Sequence, residues 1–95
     1  MIDLVMLIDD NETDNFISKR IIELTQFAHH VEVKNSGKDA LEYLRQHQGS
    51  AEHLPDLIFL DINMPIVDGF MFLYEFENLE ASVREKCKVV ILSSS

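Results

Sequence analysis

Residues 56 to 69 read DLIFLDINMPIVDG, from Asp56 to Gly69. The segment opens on Leu57-Ile58-Phe59-Leu60, an apolar run bounded by Pro55 and too short for a helix. It reads as a strand buried on both faces, as inside a parallel sheet. Asp61 follows at once. A carboxylate at the carboxyl end of such a strand faces the crevice where open α/β sheets bind ligands. Pro65 and the Asp68-Gly69 pair predict a loop before the next apolar segment, FMFLYEF. Taken alone, Asp61 is a strand-end or capping aspartate; the rest of the chain gives it company.

Working back toward the amino terminus, Leu4-Val5-Met6-Leu7-Ile8 is another buried strand, with Asp9 and Asp10 at its carboxyl end. Asn11 can cap the helix that follows, with Asp14 as its acidic partner. Ile17, Ile21, Leu24 and Ala28 recur at helical spacing, and Phe16 and Phe27 broaden that stripe as core. His30 to Lys34 alternates polar and apolar, a strand with one wet face at a sheet edge. His29 and His30 there are read as surface residues. Ser36 and Asp39 form a capping pattern for a helix carrying Ala40, Leu41 and Leu44, which Gln48-Gly49-Ser50 ends.

Beyond Gly69, Phe72, Leu73, Phe76 and Leu79 predict a third amphipathic helix. Glu80 to Lys86 is polar and is read as loop or a short turn. Val89-Val90-Ile91-Leu92 is the fourth strand, and Ser93 follows it. The order β-α-β-α-β-α-β predicts a doubly wound parallel α/β sheet, with strand order 2-1-3-4 from right-handed crossovers. Residues 1–95 are read as one domain, without repeats or linkers.

Composition narrows the function. Seventeen acidic against eight basic residues give a net charge of −9, which repels nucleic-acid phosphates. No apolar run reaches membrane-spanning length and no leader opens the chain, so a soluble, cytoplasmic protein is expected. Cys87 is alone and is read as a free thiol.

Strands 1 and 3 are neighbours about 4.8 Å apart, so Asp9, Asp10 and Asp61 converge at one rim. Carboxylates so close repel one another, which favours a hard divalent ion with oxygen ligands, Mg²⁺ above all. Such an ion can bridge a phosphoryl group, and one carboxylate can then act as nucleophile. Asp61 is the candidate nucleophile because it sits centrally between strands 1 and 4. Ser93, at the end of strand 4, can offer its hydroxyl to a phosphoryl oxygen.

These features, with Asn63-Met64-Pro65 and Asp68-Gly69, resemble the receiver domain of two-component response regulators, whose fold is flavodoxin-like. The resemblance implies that Asp61 accepts a phosphoryl group from a sensor histidine kinase or histidine phosphotransfer protein. It implies Mg²⁺ held by the carboxylates of Asp10 and Asp61 with Asp9 nearby, and by the backbone carbonyl of Asn63. It makes Ser93 the switch hydroxyl. The chain is expected to be a signalling domain, not an enzyme.

The family pattern continues with a helix, a fifth strand ending in lysine and a last helix, which this sequence lacks, so a fragment is expected. None of Lys19, Lys34, Lys38, Lys86 or Lys88 is expected at the carboxyl end of a strand. Strand 4 is then an apolar edge, and self-association through it is expected. Two alternatives stand beside this reading. One is a receiver-like interaction module that needs no phosphorylation. The other is a haloacid-dehalogenase-like phosphatase, disfavoured because Asn63 stands where that chemistry wants a second aspartate.

Overall fold

The computed structural model describes residues 2–61 and 64–92, and of Ile66 and Val67 the backbone only. Strand β1 (Ile2–Ile8) leads to helix α1 (Glu12–Thr25), β2 (Ala28–Lys34) and α2 (Gly37–Gln46). A 3₁₀ turn (Ala51–His53) precedes β3 (Leu57–Asp61), followed by α3 (Ile66–Glu77), α4 (Ala81–Lys86) and β4 (Lys88–Leu92). The strands form one parallel sheet in the order β2-β1-β3-β4. The predicted doubly wound architecture and its strand order are therefore observed.

The two predicted caps are formed. The Asn11 side chain accepts from the Asp14 N–H at 3.0 Å, and Ser36 Oγ accepts from the Asp39 N–H at 3.1 Å. Each satisfies a backbone donor that the helix leaves orphaned. The larger core lies on the α2–α3–α4 side of the sheet, where Met6, Ile8, Ile58 and Leu60 meet Leu41, Leu44, Phe72, Phe76 and Val83. Gly37 permits the close approach of α2 to α3, since a Cβ there would lie 3.1 Å from Phe72 Cβ.

The other side is thinner. Val5 and Leu7 pack with Ile22 and Ala28, but Leu57 and Phe59 are only half-buried. Here the expected α1 core stripe is corrected. Phe16, Ile17, Ile21, Leu24 and Phe27 are exposed, Phe16 by 71%. The helix turns Asn15 and Ile22 inward instead, and Phe27 and Ala28 lie beyond its end at Thr25. Apolar spacing identified the helix but not the face the sheet receives, because α1 lies over β1 and β2 and, among the described residues, no helix lies over the β3–β4 half of that side.

Three further expectations are corrected. Asp68 and Gly69 form no loop; their N–H groups donate to the Pro65 carbonyl at 2.9 and 3.2 Å within the first turn of α3. Proline at the helix entrance and an acid in the first turn both suit a helix start. Glu80 to Lys86 is not loop but contains α4, anchored by buried Val83 and by Cys87 just after it. Finally, Lys34 does end β2 at its carboxyl end, but its amino group pairs with Glu32 at 3.2 Å and lies over the Tyr43 ring.

At the opposite, amino edge, Asp56 is a junction. Its carboxylate accepts from the N–H groups of Asp3 and Leu4 and from Lys86 Nζ. Its own backbone bonds Leu4 and Lys88. Three strands are thereby tied together at one residue.

Candidate functional site

The carboxyl edge of the sheet carries the candidate site. The register pairs Ile8 with Leu60, so the residues that follow, Asp9 and Asp61, emerge side by side. One carboxylate oxygen each from Asp9, Asp10 and Asp61 lies within 4.8 Å of the others. Asp9 is half-buried and Asp10 is exposed. Asp61 closes β3, opposite Leu92 of β4.

Asp9 is the most constrained of the three. Its N–H donates to the Lys34 carbonyl at 3.2 Å, and its carbonyl accepts from Asn15 Nδ2 at 2.7 Å. Its Oδ1 accepts from the Asn11 N–H at 2.9 Å. Burial raises the Asp9 pKa above the ordinary carboxylate value, and the Asp61 charge beside it adds to the rise, against the lowering effect of the Asn11 N–H. A carboxylate held near another and partly out of water resists ionisation.

The donor set suits a hard divalent cation. Three carboxylate oxygens at one rim, with Asp10 open to solvent, match the mixed protein and water ligation that Mg²⁺ prefers. Two oxygens bound to one Mg²⁺ at about 2.1 Å can be at most about 4.2 Å apart, and the 4.8 Å limit on the three oxygens is of that order. Among the described residues no other group of His, Cys, Asp and Glu offers three converging ligands. His29 and His30 lie exposed on the edge strand β2, as expected of surface residues.

Sequence reasoning thus foresaw Asp9, Asp10 and Asp61, and the structure brings all three together. The candidates Asn63 and Ser93 lie outside the described residues. Asn15 was missed. The available signal was a polar residue with poor helix propensity in the α1 interior, on the turn nearest the acidic pair.

Comparisons with known proteins agree with this geometry. The family model described as response regulator receiver domain matches residues 5–95. The probable methanogenesis regulatory protein FilR2 of Methanothrix harundinacea is 33% identical over 97% of this chain and 58% of its own length. Response regulator Rcp1 of Synechocystis is 28% identical over 97% of this chain and 62% of its own. The chain thus spans about three fifths of these regulators. Among solved structures, a two-component response regulator from Cytophaga hutchinsonii superposes with a TM-score of 0.86 at 33% identity, covering 99% of this chain and 70% of that one. The receiver domain of the histidine kinase CKI1 from Arabidopsis thaliana, complexed with Mg²⁺ and BeF₃⁻, has a TM-score of 0.74 at 31% identity, covering 98% and 66%. Fold, strand order and the family match over residues 5–95 converge, and the chain belongs to the response regulator receiver domain family.

Proposed function

We propose that this chain is the phosphoacceptor of a two-component pathway, with Asp61 taking a phosphoryl group from a histidine kinase or histidine phosphotransfer protein. The observation that carries the reading is the convergence of Asp9, Asp10 and Asp61 at the carboxyl edge of a receiver fold. In the transfer, a bond forms between an Asp61 carboxylate oxygen and phosphorus. The bond from phosphorus to the donor's histidine nitrogen breaks, and the electron pair stays on that nitrogen. The Asp9, Asp10 and Asp61 carboxylates, with the Asn63 carbonyl, are the proposed Mg²⁺ ligands. A bound Mg²⁺ ion would reduce the negative charge of this cluster and polarise the incoming phosphoryl group. The Ser93 hydroxyl is the proposed switch donor to the phosphoryl group.

The output is conformational, so the chain signals and does not turn over a substrate. A cytoplasmic location fits a kinase-fed receiver, and no described helix is long and apolar enough to cross a membrane. The test is incubation with acetyl phosphate and Mg²⁺ followed by mass spectrometry. One acid-stable, base-labile phosphoryl adduct on Asp61 is expected. An adduct on another residue, or one that persists in Asp61→Ala, overturns the assignment.

A further inference from the structure

Asn15 is the one buried polar or charged residue among those described, 4% exposed, on the helix face that meets the sheet. That face takes Ile22 seven residues later, so an apolar residue would be the default at position 15. Asparagine is a poor choice for a helix interior, and burying its amide is unfavourable unless the amide is hydrogen-bonded. Here it is. Nδ2 donates to the Asp9 carbonyl at 2.7 Å and reaches Asn35 Oδ1 at 3.4 Å. One side chain thus links the loop after β1 to the loop after β2.

We infer that Asn15 is a positioning residue: its amide fixes the Asp9 carbonyl and so sets the direction in which the Asp9-Asp10 pair faces Asp61. The inference rests on the proposed phosphoacceptor reading. The amide has a property that other donors lack at this place, because it is uncharged. Lysine or arginine would bring a cation beside the three carboxylates and compete with a divalent ion for them. Aspartate would add a fourth negative charge. A leucine would fill the space and leave the Asp9 carbonyl without this donor. Among the described residues, the Lys34 carbonyl, which accepts from the Asp9 N–H, is then the backbone tie left between β2 and Asp9.

Groups that orient metal ligands from one shell out commonly change metal affinity by 10- to 100-fold when removed. The experiment compares wild type with Asn15→Leu and Asn35→Ala by Mg²⁺ titration, following the amide NMR signals of residues 9, 10 and 61, with urea unfolding of each chain in parallel. The expected result is an Mg²⁺ Kd about tenfold weaker or more in Asn15→Leu, with a smaller loss in Asn35→Ala. A purely structural role for Asn15 instead lowers the urea midpoint and leaves the Kd of the folded protein within twofold, which overturns the inference. If Asn15→Leu does not fold, Asn15→Ser takes its place, and an unchanged Kd there overturns it equally. A wild-type chain that binds no Mg²⁺ while folded defeats the phosphoacceptor reading itself, and is distinguished by that control.

Discussion

Asp61→Asn is expected to make the metal-free chain more stable. In wild type, charge at Asp61 faces Asp9 and Asp10 across at most 4.8 Å. Two unit charges at that distance repel by about 3.5 kcal/mol at an effective dielectric constant of 20 and about 1 kcal/mol in water. Asp10 is exposed and Asp9 only half-buried, so solvent screening places the relief toward the lower end, about 1–2 kcal/mol. The amide retains hydrogen-bonding capacity toward Asp9. With a urea slope of roughly 1–2 kcal/mol per molar for a chain of this size, the midpoint rises by about 1 M at pH 7.5 in EDTA.

Two controls define the cause. Saturating Mg²⁺ removes the advantage, because it stabilises wild type by about 2.7 kcal/mol at 100 times its Kd and the variant by less. Acid removes it too. The folded-state pKa of Asp9 is raised, first by burial and then by Asp61. A raised carboxyl contributes stability that is full below its unfolded pKa and is lost as pH rises through the folded value. Wild type therefore recovers relative to Asp61→Asn as Asp9 takes up its proton. A midpoint that fails to rise at pH 7.5 without metal, or an increment unchanged on acidification, refutes the reasoning.

Asp56→Ala removes an acceptor shared by Lys86 and two backbone N–H groups and is expected to cost about 1–3 kcal/mol in urea unfolding. Lys86 first, then the backbone donors, hold the Asp56 pKa below its ordinary 3.8, so this loss is constant at neutral pH and shrinks as pH falls through that lowered value. Gly37→Val crowds Phe72 at a 3.1 Å approach and is expected to destabilise by about 1–3 kcal/mol, read as a lower Tm; an unchanged Tm would show that α3 can move aside. Exposed Ile91 and Leu92 on β4, an edge strand among the described residues, predict self-association of this 95-residue chain at micromolar concentration, broken by Val90→Lys; a folded monomer in sedimentation velocity defeats this.

The strands were legible because a parallel sheet buries its central members on both sides, which leaves continuous apolar runs such as Val5 to Ile8. The acidic trio was legible because strand order alone places Asp9 beside Asp61. The burial of α1 was not. Ile17, Ile21 and Leu24 have the spacing of a core face, yet spacing cannot say how far the opposing surface extends. Helix α4 hid because it is six residues long and mostly polar, with Val83 the sole buried residue in it. Asn15 stood out only as a polar residue inside a helix; its partner, the Asp9 carbonyl, is a main-chain atom that carries no side-chain signature.

Strand β1 has its two partners at very different distances along the chain. Its ladder to β2 begins with Ile2 opposite Ala28, whereas Val5 meets Leu57 across a gap of 52 residues. During synthesis at about 5–20 residues per second, one side of β1 therefore waits roughly 3–10 seconds for β3 to emerge. Val5, Met6, Leu7 and Ile8, the driest stretch of the sheet, are open to misassociation for that time. Over the same interval the acidic pair that follows them, within a segment of residues 1–56 that carries 11 acidic and 5 basic residues, favours repulsion from other nascent chains of this kind. The acidic pair that closes β1 at the rim of the sheet is thus already in place beside this apolar stretch before the cluster with Asp61 exists.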